Sequence, residues 1–258
     1  MTGTEPRLPA AYRLFSYNTV GSTNDEVKRL ARAAAKEGTL VWALEQTAGR
    51  GRRGRVWSSP PDNLYASLLL RPRCAVDQAA QLGFVAALAV GDTLISICDD
   101  RLDGLSYKWP NDVLLRGRKI AGILLESELG NEGDIPLFVV VGVGLNLISS
   151  PPDTEFPATS IAEEGLGTVS PGAALEEFAR HFEAWAERWR EEGFAPVRAA
   201  WREHAAALGE PIRVRLEAAT LQGRFLDIDQ HGTLLLESAG QLRCISAGEI
   251  FPAQPLTR

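Results

Sequence analysis

Several chemistries find little to stand on in this chain. Its 258 residues include three cysteines, Cys74, Cys98 and Cys244, an odd number with no Cys-x-x-Cys pair. That argues against a disulfide framework or a zinc ribbon and fits a reducing compartment. The three histidines, His181, His204 and His231, are scattered without metal-ligand spacing. There is no Gly-x-Ser-x-Gly elbow, and no serine or cysteine has an evident histidine partner. The longest apolar run, LGFVAALAVGDTLISI, is broken by Asp92 and falls short of the ~20 residues that a bilayer span needs. MTGTEPRLPA at the N-terminus has no apolar core of a secretion signal, so the expectation is a cytoplasmic protein without membrane contact. Excess positive charge is missing too. With 27 Lys and Arg against 33 Asp and Glu, the net charge of −6 does not draw the chain as a whole to nucleic acid.

The length suffices for one large domain and a small one. YRLFSYN (12–18), TLVWALEQ (39–46) and NLYASLLLR (63–71) read as strands. STNDEVKRLARAAAKEG reads as a helix with Thr23 and Glu26 placed for a capping box and Gly38 as its stop. Residues 76–98 predict one long, mostly buried helix. A dense β region follows, from LSYKW to PLFVVVGVGLNL, with a tight hairpin turn at Gly117. After a Pro- and Ser-rich loop (149–160), helices are expected over about 171–192 and 195–208. From about 211 the chain turns to four short strands, IRVRLE, LQGRFLDID, GTLLLES and QLRCISAGEI. So small a β module is expected to dock on the main domain. The predicted division is therefore 1–208 and 209–258.

One stretch stands out against the acidic background. In EQTAGRGRRGRVWSS, Gly49, Gly51 and Gly54 match Gly-x-Gly-x-x-Gly, interleaved with Arg50, Arg52, Arg53 and Arg55. A dinucleotide fingerprint needs a helix opening directly after the glycines, but RVWSSPPDNLY leaves no room for one. The acidic ribose partner about twenty positions on is missing as well. No Gly-Lys-Ser/Thr occurs, and kinase signatures are absent. Four arginines with Trp57 suit nucleic acid, yet no second basic stripe continues the track. A solvated arginine-rich loop would explain the charges but not three glycines among them. The physical alternative is a mobile loop that folds over a small polyanion. Glycines let backbone N–H groups approach oxygens, and arginines fork onto phosphate or carboxylate. That suits a carboxylate attacking a nucleotide α-phosphate.

Other polar clusters agree. KWPNDV sets Lys108, Asn111 and Asp112 around a rigid proline turn, and RKIAGILLE adds Lys119 and Gly122 on the next strand. VGVGLN places two glycines in a β-branched strand that ends at Asn146, as though something else fills the missing side-chain space. Ser22, Thr23, Asn24 and Gln46 offer donors and acceptors suited to a polar ring. Taken singly, each has an ordinary reading: edge-strand lysines, turn asparagines, a capped helix start.

Six segments in order, GSTN, EQTAGRGRRGRVWSS, KWPNDV, KIAGILLE, VGVGLN and ATSI, resemble the motif series of biotin protein ligases. The likeness spans about residues 12–165, and the β module resembles that family's SH3-like C-terminal domain. The resemblance implies an α+β fold, a mixed β-sheet catalytic domain flanked by helices (class II synthetase-like) with a small C-terminal SH3-like β-barrel. It implies an enzyme that joins biotin and MgATP as biotinyl-5′-AMP, then passes biotin to a lysine of the biotin carboxyl carrier protein of acetyl-CoA carboxylase.

The family's roles carry over by position. Ser22, Thr23, Asn24 and Gln46 match residues holding the ureido ring and its neighbours. Gly49, Arg50, Gly51 and Arg52 match the loop closing on biotin and the adenylate, and Gly122 lines the biotin pocket. Arg55 and Lys108 fall on the ATP side, Trp57 near adenine, and Asn111 and Asn146 on adenine-side contacts. Lys119 matches the catalytic lysine, with Arg52 beside it. Asp112 is a candidate to accept or orient the proton of the attacking amine. Mg²⁺ would accompany the pyrophosphate, and metal ligands are unknown. Bifunctional members carry an N-terminal helix-turn-helix. Here about ten residues precede the first strand, so DNA binding is not expected; a monomer or a homodimer is.

Two alternatives remain open. Lipoate ligases share fold and chemistry, but their RRxSGGGxVxHD loop is absent. A non-catalytic biotin-sensing module would keep the pocket and could lose the loop arginines and Lys119, which are present.

Overall fold

The computed structural model describes residues 6–98, 101–130 and 134–253. The outer limits of the two expected domains, residues 1 and 258, lie outside the described residues.

The chain runs β1 (Arg13–Val20), α1 (Thr23–Arg32), β2 (Thr39–Gln46), β3 (Leu64–Leu70), α2 (Val76–Ala79), α3 (Leu82–Cys98), β4 (Leu105–Lys108), β5 (Asp112–Leu115), β6 (Arg118–Leu129), β7 (Pro136–Leu145), α4 (Pro171–Glu192) and α5 (Phe194–Glu203). Then come β8 (Pro211–Arg215), β9 (Thr220–Ile228), β10 (Leu234–Ser238), β11 (Gln241–Ile245) and β12 (Glu249–Pro252). The first seven strands form a mixed sheet in the order β1-β2-β3-β7-β6-β5-β4, with β1 and β2 parallel and the other neighbours antiparallel.

The central strands are apolar along their whole length because both faces are covered. Val41, Leu69 and Val140 point to one side, where Val27 and Ala31 of α1 meet them. Their neighbours Leu40, Trp42, Leu68, Leu70, Val139 and Val141 point to the other, into the main core under α3, α4 and α5. Two-residue alternation thus feeds two cores at once. Helix α3 is apolar on every side because it lies between the sheet and α4. The Val76–Cys98 stretch has the length and composition to cross a membrane, but 78% of its apolar 18-residue window is buried inside the fold.

Four expectations need correction. The helix expected over 76–98 is two pieces, because Gly83 and Phe84 bond three residues back, to Ala80 and Gln81. There the buried Gln81 turns inward and accepts a 2.8 Å bond from Trp189 Nε1. The helix from 195 stops at Glu203, since the sheet edge takes the following backbone: Tyr107 N donates to His204 O and Ala206 N to Tyr107 O, both at 2.8 Å. Helix α1 ends at Arg32, well before Gly38, and its cap is Ser22 with no side-chain capping bond. Thr23 and Glu26 have other partners: Thr23 N donates to Gln46 Oε1, its hydroxyl lies against Ser67, and Glu26 bonds Tyr17 and Arg29. Finally, QLRCISAGEI is two strands. β12 leaves β11 and pairs with β8 at the far edge of the sheet order β11-β10-β9-β8-β12.

The hairpin at Gly117 forms as expected, with Arg116 (φ 49°) and Gly117 (φ 73°) both left-handed, as a type I′ turn requires. The C-terminal sheet is antiparallel, and among the described residues β11 and β12 do not pair to close it. It docks through its β9–β10 turn. Trp109 Nε1 donates to Gly232 O at 3.0 Å, and Arg198 and Arg202 hold Asp227 at 2.8 and 2.6 Å.

Candidate active site

The sheet, the glycine–arginine loop, the 149–160 loop and β12 enclose a cavity of about 430 Å³. Ser22, Thr23, Asn24, Gln46, Arg50, Gly51, Arg52, Arg55, Trp57, Lys108, Asn111, Asp112, Lys119, Gly122 and Asn146 all line it. Gly49 does not. It is a packing position: a Cβ there would lie 2.5 Å from Ser59 Oγ and 2.6 Å from Trp57 O.

The polar floor is built where α1 starts. Thr23 N and Oγ1 approach Gln46 Oε1 at 2.8 and 3.0 Å, and Gln46 Nε2 donates to Ser59 Oγ at 3.0 Å. Ser67 Oγ, fully buried in β3, lies 2.7 Å from Thr23 Oγ1 and 2.6 Å from Asn24 Oδ1. Asn24 Nδ2 donates to Glu126 at 2.7 Å. Glycines on β7 leave room for this. A Cβ on Gly142 would stand 2.2 Å from Asn24 Oδ1, and one on Gly144 would stand 2.5 Å from the Trp57 indole. The space that the sequence assigned to a ligand is thus filled in part by the protein's own Asn24 and Trp57. Trp57 also covers Gly122, at 2.9 Å from a Cβ there. Its buried Nε1 has no hydrogen-bond partner.

The glycine–arginine stretch forms a lid, a narrow antiparallel loop joined by an Arg50–Val56 bridge and by Gly51 N donating to Arg55 O at 2.8 Å. Arg50, Arg52 and Arg55 are held by protein groups. Arg50 forks onto Asp25 and reaches Glu126 at 3.4 Å. Arg52 Nη1 donates to Gly248 O at 3.0 Å and to Asn111 Oδ1 at 3.5 Å. Burial there lowers the Arg52 pKa. Arg55 pairs with Glu249, which also accepts from Arg215 at 2.7 Å, while Arg215 holds Glu155 at 2.6 Å. Burial would raise the Glu249 carboxyl, but Arg215 and Arg55 outweigh it and hold it low.

Lys108, Asp112 and Lys119 line the same cavity as the lid arginines. Adjacent strands β5 and β6 bring Lys119 Nζ to 2.5 Å from Asp112 Oδ1, and Lys108 Nζ lies 3.0 Å from Asp112 Oδ2. Burial alone would push the Asp112 carboxyl up, yet the two lysines override it and bring its pKa to about 2. Lys119 Nζ stands 5.3 Å from the Trp57 ring centre, and Lys108 Nζ 4.1 Å from that of Phe156. Asn111 Nδ2 donates to Ile123 O at 2.7 Å and Asn146 Nδ2 to Thr159 O at 3.0 Å, which fixes both amides at the cavity wall. Asp112, Glu155 and Glu249 are each ion-paired. Among the described residues no cluster of three or more His, Cys, Asp or Glu is placed to hold a metal.

Sequence reasoning missed Ser67, Asp25, Glu126, Phe156, Gly248 and Glu249. Ser67 had a signal, a lone hydroxyl in the apolar strand LYASLLL. Glu126 closes the KIAGILLE segment, but nothing there marks its role. The others had no signal, because their partners come from distant segments.

Such a cavity, a cationic lid over paired lysines with a polar floor, suits the chemistry of an adenylate-forming ligase. The model of the biotin/lipoate A/B protein ligase family matches residues 14–203, and that of the biotin protein ligase C-terminal domain matches 207–251. A biotin--[acetyl-CoA-carboxylase] ligase of Paracoccus denitrificans is 43% identical over 89% of this chain and 96% of that protein. The bifunctional ligase/repressor BirA of Bacillus subtilis is 34% identical over 92% of this chain and 73% of its own. The Aquifex aeolicus biotin protein ligase, solved with biotin and ATP, superposes with a TM-score of 0.77 at 27% identity, covering 93% of this chain and 97% of that one. The chain belongs to the biotin protein ligase family.

Proposed function

We propose that this protein activates biotin with ATP to biotinyl-5′-AMP and pyrophosphate, and transfers the biotinyl group to a lysine of a biotin carboxyl carrier protein. The observation that carries this is the gathering of Arg52, Arg55, Lys108 and Lys119 around one cavity whose far end is the Thr23–Gln46–Asn24 floor. In the first step a carboxylate oxygen of biotin attacks the α-phosphorus of ATP and pyrophosphate leaves. Two anions must meet, so pre-placed cations stabilise the charge that builds on phosphorus. Lys119 and Arg52 are assigned that task, and Arg55 and Lys108 the departing phosphates. Mg²⁺, arriving on ATP, supplies further neutralisation of pyrophosphate.

The floor receives the ureido ring, Asn111 and Asn146 border the adenine side, and Trp57, its Nε1 unpaired, covers the adenylate. The closed lid excludes water from the mixed anhydride. In the second step the neutral amine of the carrier lysine attacks the acyl carbon and AMP leaves. A carboxylate held at about 2 between two lysines is a poor proton acceptor, so Asp112 is assigned to orienting Lys119 and the incoming amine.

We assign catalysis to residues 1–208, carrier docking with lid support to 209–258, and the cytoplasm as the place of work. The test is pyrophosphate exchange with biotin or lipoate, followed by mass spectrometry of a carrier domain incubated with biotin, MgATP and this protein. Biotin-dependent exchange and one added biotinyl group support the reading. Exchange with lipoate alone overturns it.

A further inference from the structure

The carboxylate of Glu126 lies behind the cavity floor and touches three groups there. It accepts from Asn24 Nδ2 at 2.7 Å and Lys28 Nζ at 2.6 Å, and Arg50 of the lid approaches it at 3.4 Å. It is half-buried on β6, and Lys28 and Asn24 hold its carboxyl low against the effect of burial.

An ionised carboxylate only accepts hydrogen bonds. The Asn24 amide is therefore oriented, with its NH₂ on Glu126 and its oxygen facing Ser67 at 2.6 Å. A hydroxyl has one proton. With the Ser67 proton directed to Asn24 Oδ1, the 2.7 Å contact to Thr23 requires Thr23 Oγ1 to donate and Ser67 Oγ to accept. Two hydroxyl protons serve three contacts, so the longest, Thr23 Oγ1 to Gln46 Oε1 at 3.0 Å, carries none. Gln46 Oε1 accepts from the Thr23 backbone N–H at 2.8 Å and keeps a free lone pair. Its amide cannot reverse, because the Thr23 backbone N–H can only donate and so requires the oxygen, while Nε2 faces Ser59 Oγ at 3.0 Å. In this arrangement Thr23 Oγ1 and Gln46 Oε1 both present acceptor capacity to the cavity. If Asn24 were reversed, Ser67 would donate to Thr23 and Thr23 to Gln46. One acceptor position on each would be consumed.

We propose that Glu126 is a positioning residue that sets the hydrogen-bond polarity of the floor through Asn24, Ser67 and Thr23, and so selects a ligand ring bearing N–H donors. The proposal rests on the biotin-ligase reading, where that ring is the cyclic urea of biotin. It also explains why a carboxylate stands at a strand position that reaches the floor only through another side chain. Removing it leaves its cations paired, since Lys28 lies 3.8 Å from Asp25 and Arg50 forks onto Asp25 as well.

The experiment is biotin-dependent pyrophosphate exchange by the full chain with biotin and with biotin methylated at a ring nitrogen. In Glu126→Leu the KM for biotin is expected to rise at least about ten-fold, as for a lost recognition hydrogen bond, with kcat changed less than about three-fold. The KM for the methylated compound should stay nearly unchanged, so the preference for biotin collapses. Glu126→Gln, which keeps an acceptor oxygen for Asn24, should restore the preference. Glu126→Met replaces the leucine variant if thermal melting shows that protein unfolded. A preference unchanged in the leucine or methionine variant, a parallel rise in both KM values, or a preference lost in Glu126→Gln overturns the proposal. Wild-type protein without biotin-dependent exchange overturns the functional reading itself, and this proposal with it.

Discussion

Arg55 of the lid and Glu249 of the C-terminal module form an ion pair across 194 residues of sequence, with Arg215 on the other side of the same carboxylate. Glu249 is nearly buried and Arg55 half-exposed, so the pair lies where the lid meets the second sheet. Together with the Arg52–Gly248 bond it ties the lid down through protein groups alone. Glu249→Gln should loosen that hold. Limited trypsin digestion at Arg50–Arg55 is expected to run several-fold faster in this variant without ligand, and the difference should shrink in high salt, which already weakens the wild-type pair. Equal digestion rates would mean that the pair does not hold the lid.

Asp112 predicts a pH dependence. Its folded pKa of about 2 lies below its ordinary 3.8, so its pairing stabilises the fold above the ordinary value and is lost as pH falls through the folded one. The loss should lie between roughly pH 4 and pH 2 and be of order 2 kcal/mol. The fall in stability across that window, followed by urea unfolding, is expected to be less steep in Asp112→Asn, which also starts less stable because buried Lys108 and partly buried Lys119 lose their counter-charge.

The cations of the site should act on rate more than on affinity. Arg52→Ala and Lys119→Met are each expected to lower kcat for biotinyl-adenylate formation by ~10²–10³, the usual effect of removing one group that stabilises transition-state charge. Biotin binding, measured by calorimetry, should weaken far less. Because both groups act on the same developing charge, the double variant should fall short of the product of the two losses.

Trp109 joins the catalytic sheet to the second module through its bond to Gly232 O. Trp109→Phe keeps a ring but strands a buried carbonyl, at a cost of ~1–3 kcal/mol in urea unfolding. Since Trp109 shares the 109–111 turn with Asn111, the KM for ATP should rise as well.

Much of the site could be read from the chain. Ser22, Thr23, Asn24, Gln46, Lys108, Asn111, Asp112, Lys119 and Asn146 lie in short motifs, and all of them meet at one cavity. Their partners could not be read. Asn24 and Glu126 are 102 residues apart, and nothing near either one names the other. The same limit applies to the elements. Pattern alone gives one helix over 76–98, but the buried Gln81 bends it toward Trp189. Helix propensity carries α5 past Glu203, but the unpaired edge at Tyr107 captures that backbone first.

Local order along the chain determined where strands and helices lie, which glycines leave room in β7, and which charged residues stand at loop ends, because these depend on periodicity and backbone stereochemistry within a few residues. Tertiary structure alone decided which carboxylate meets which cation. It set Asp112 between two lysines, placed Glu249 under the lid and oriented the Asn24 amide. Those outcomes depend on desolvation and on distances of a few ångströms between segments that only folding brings together.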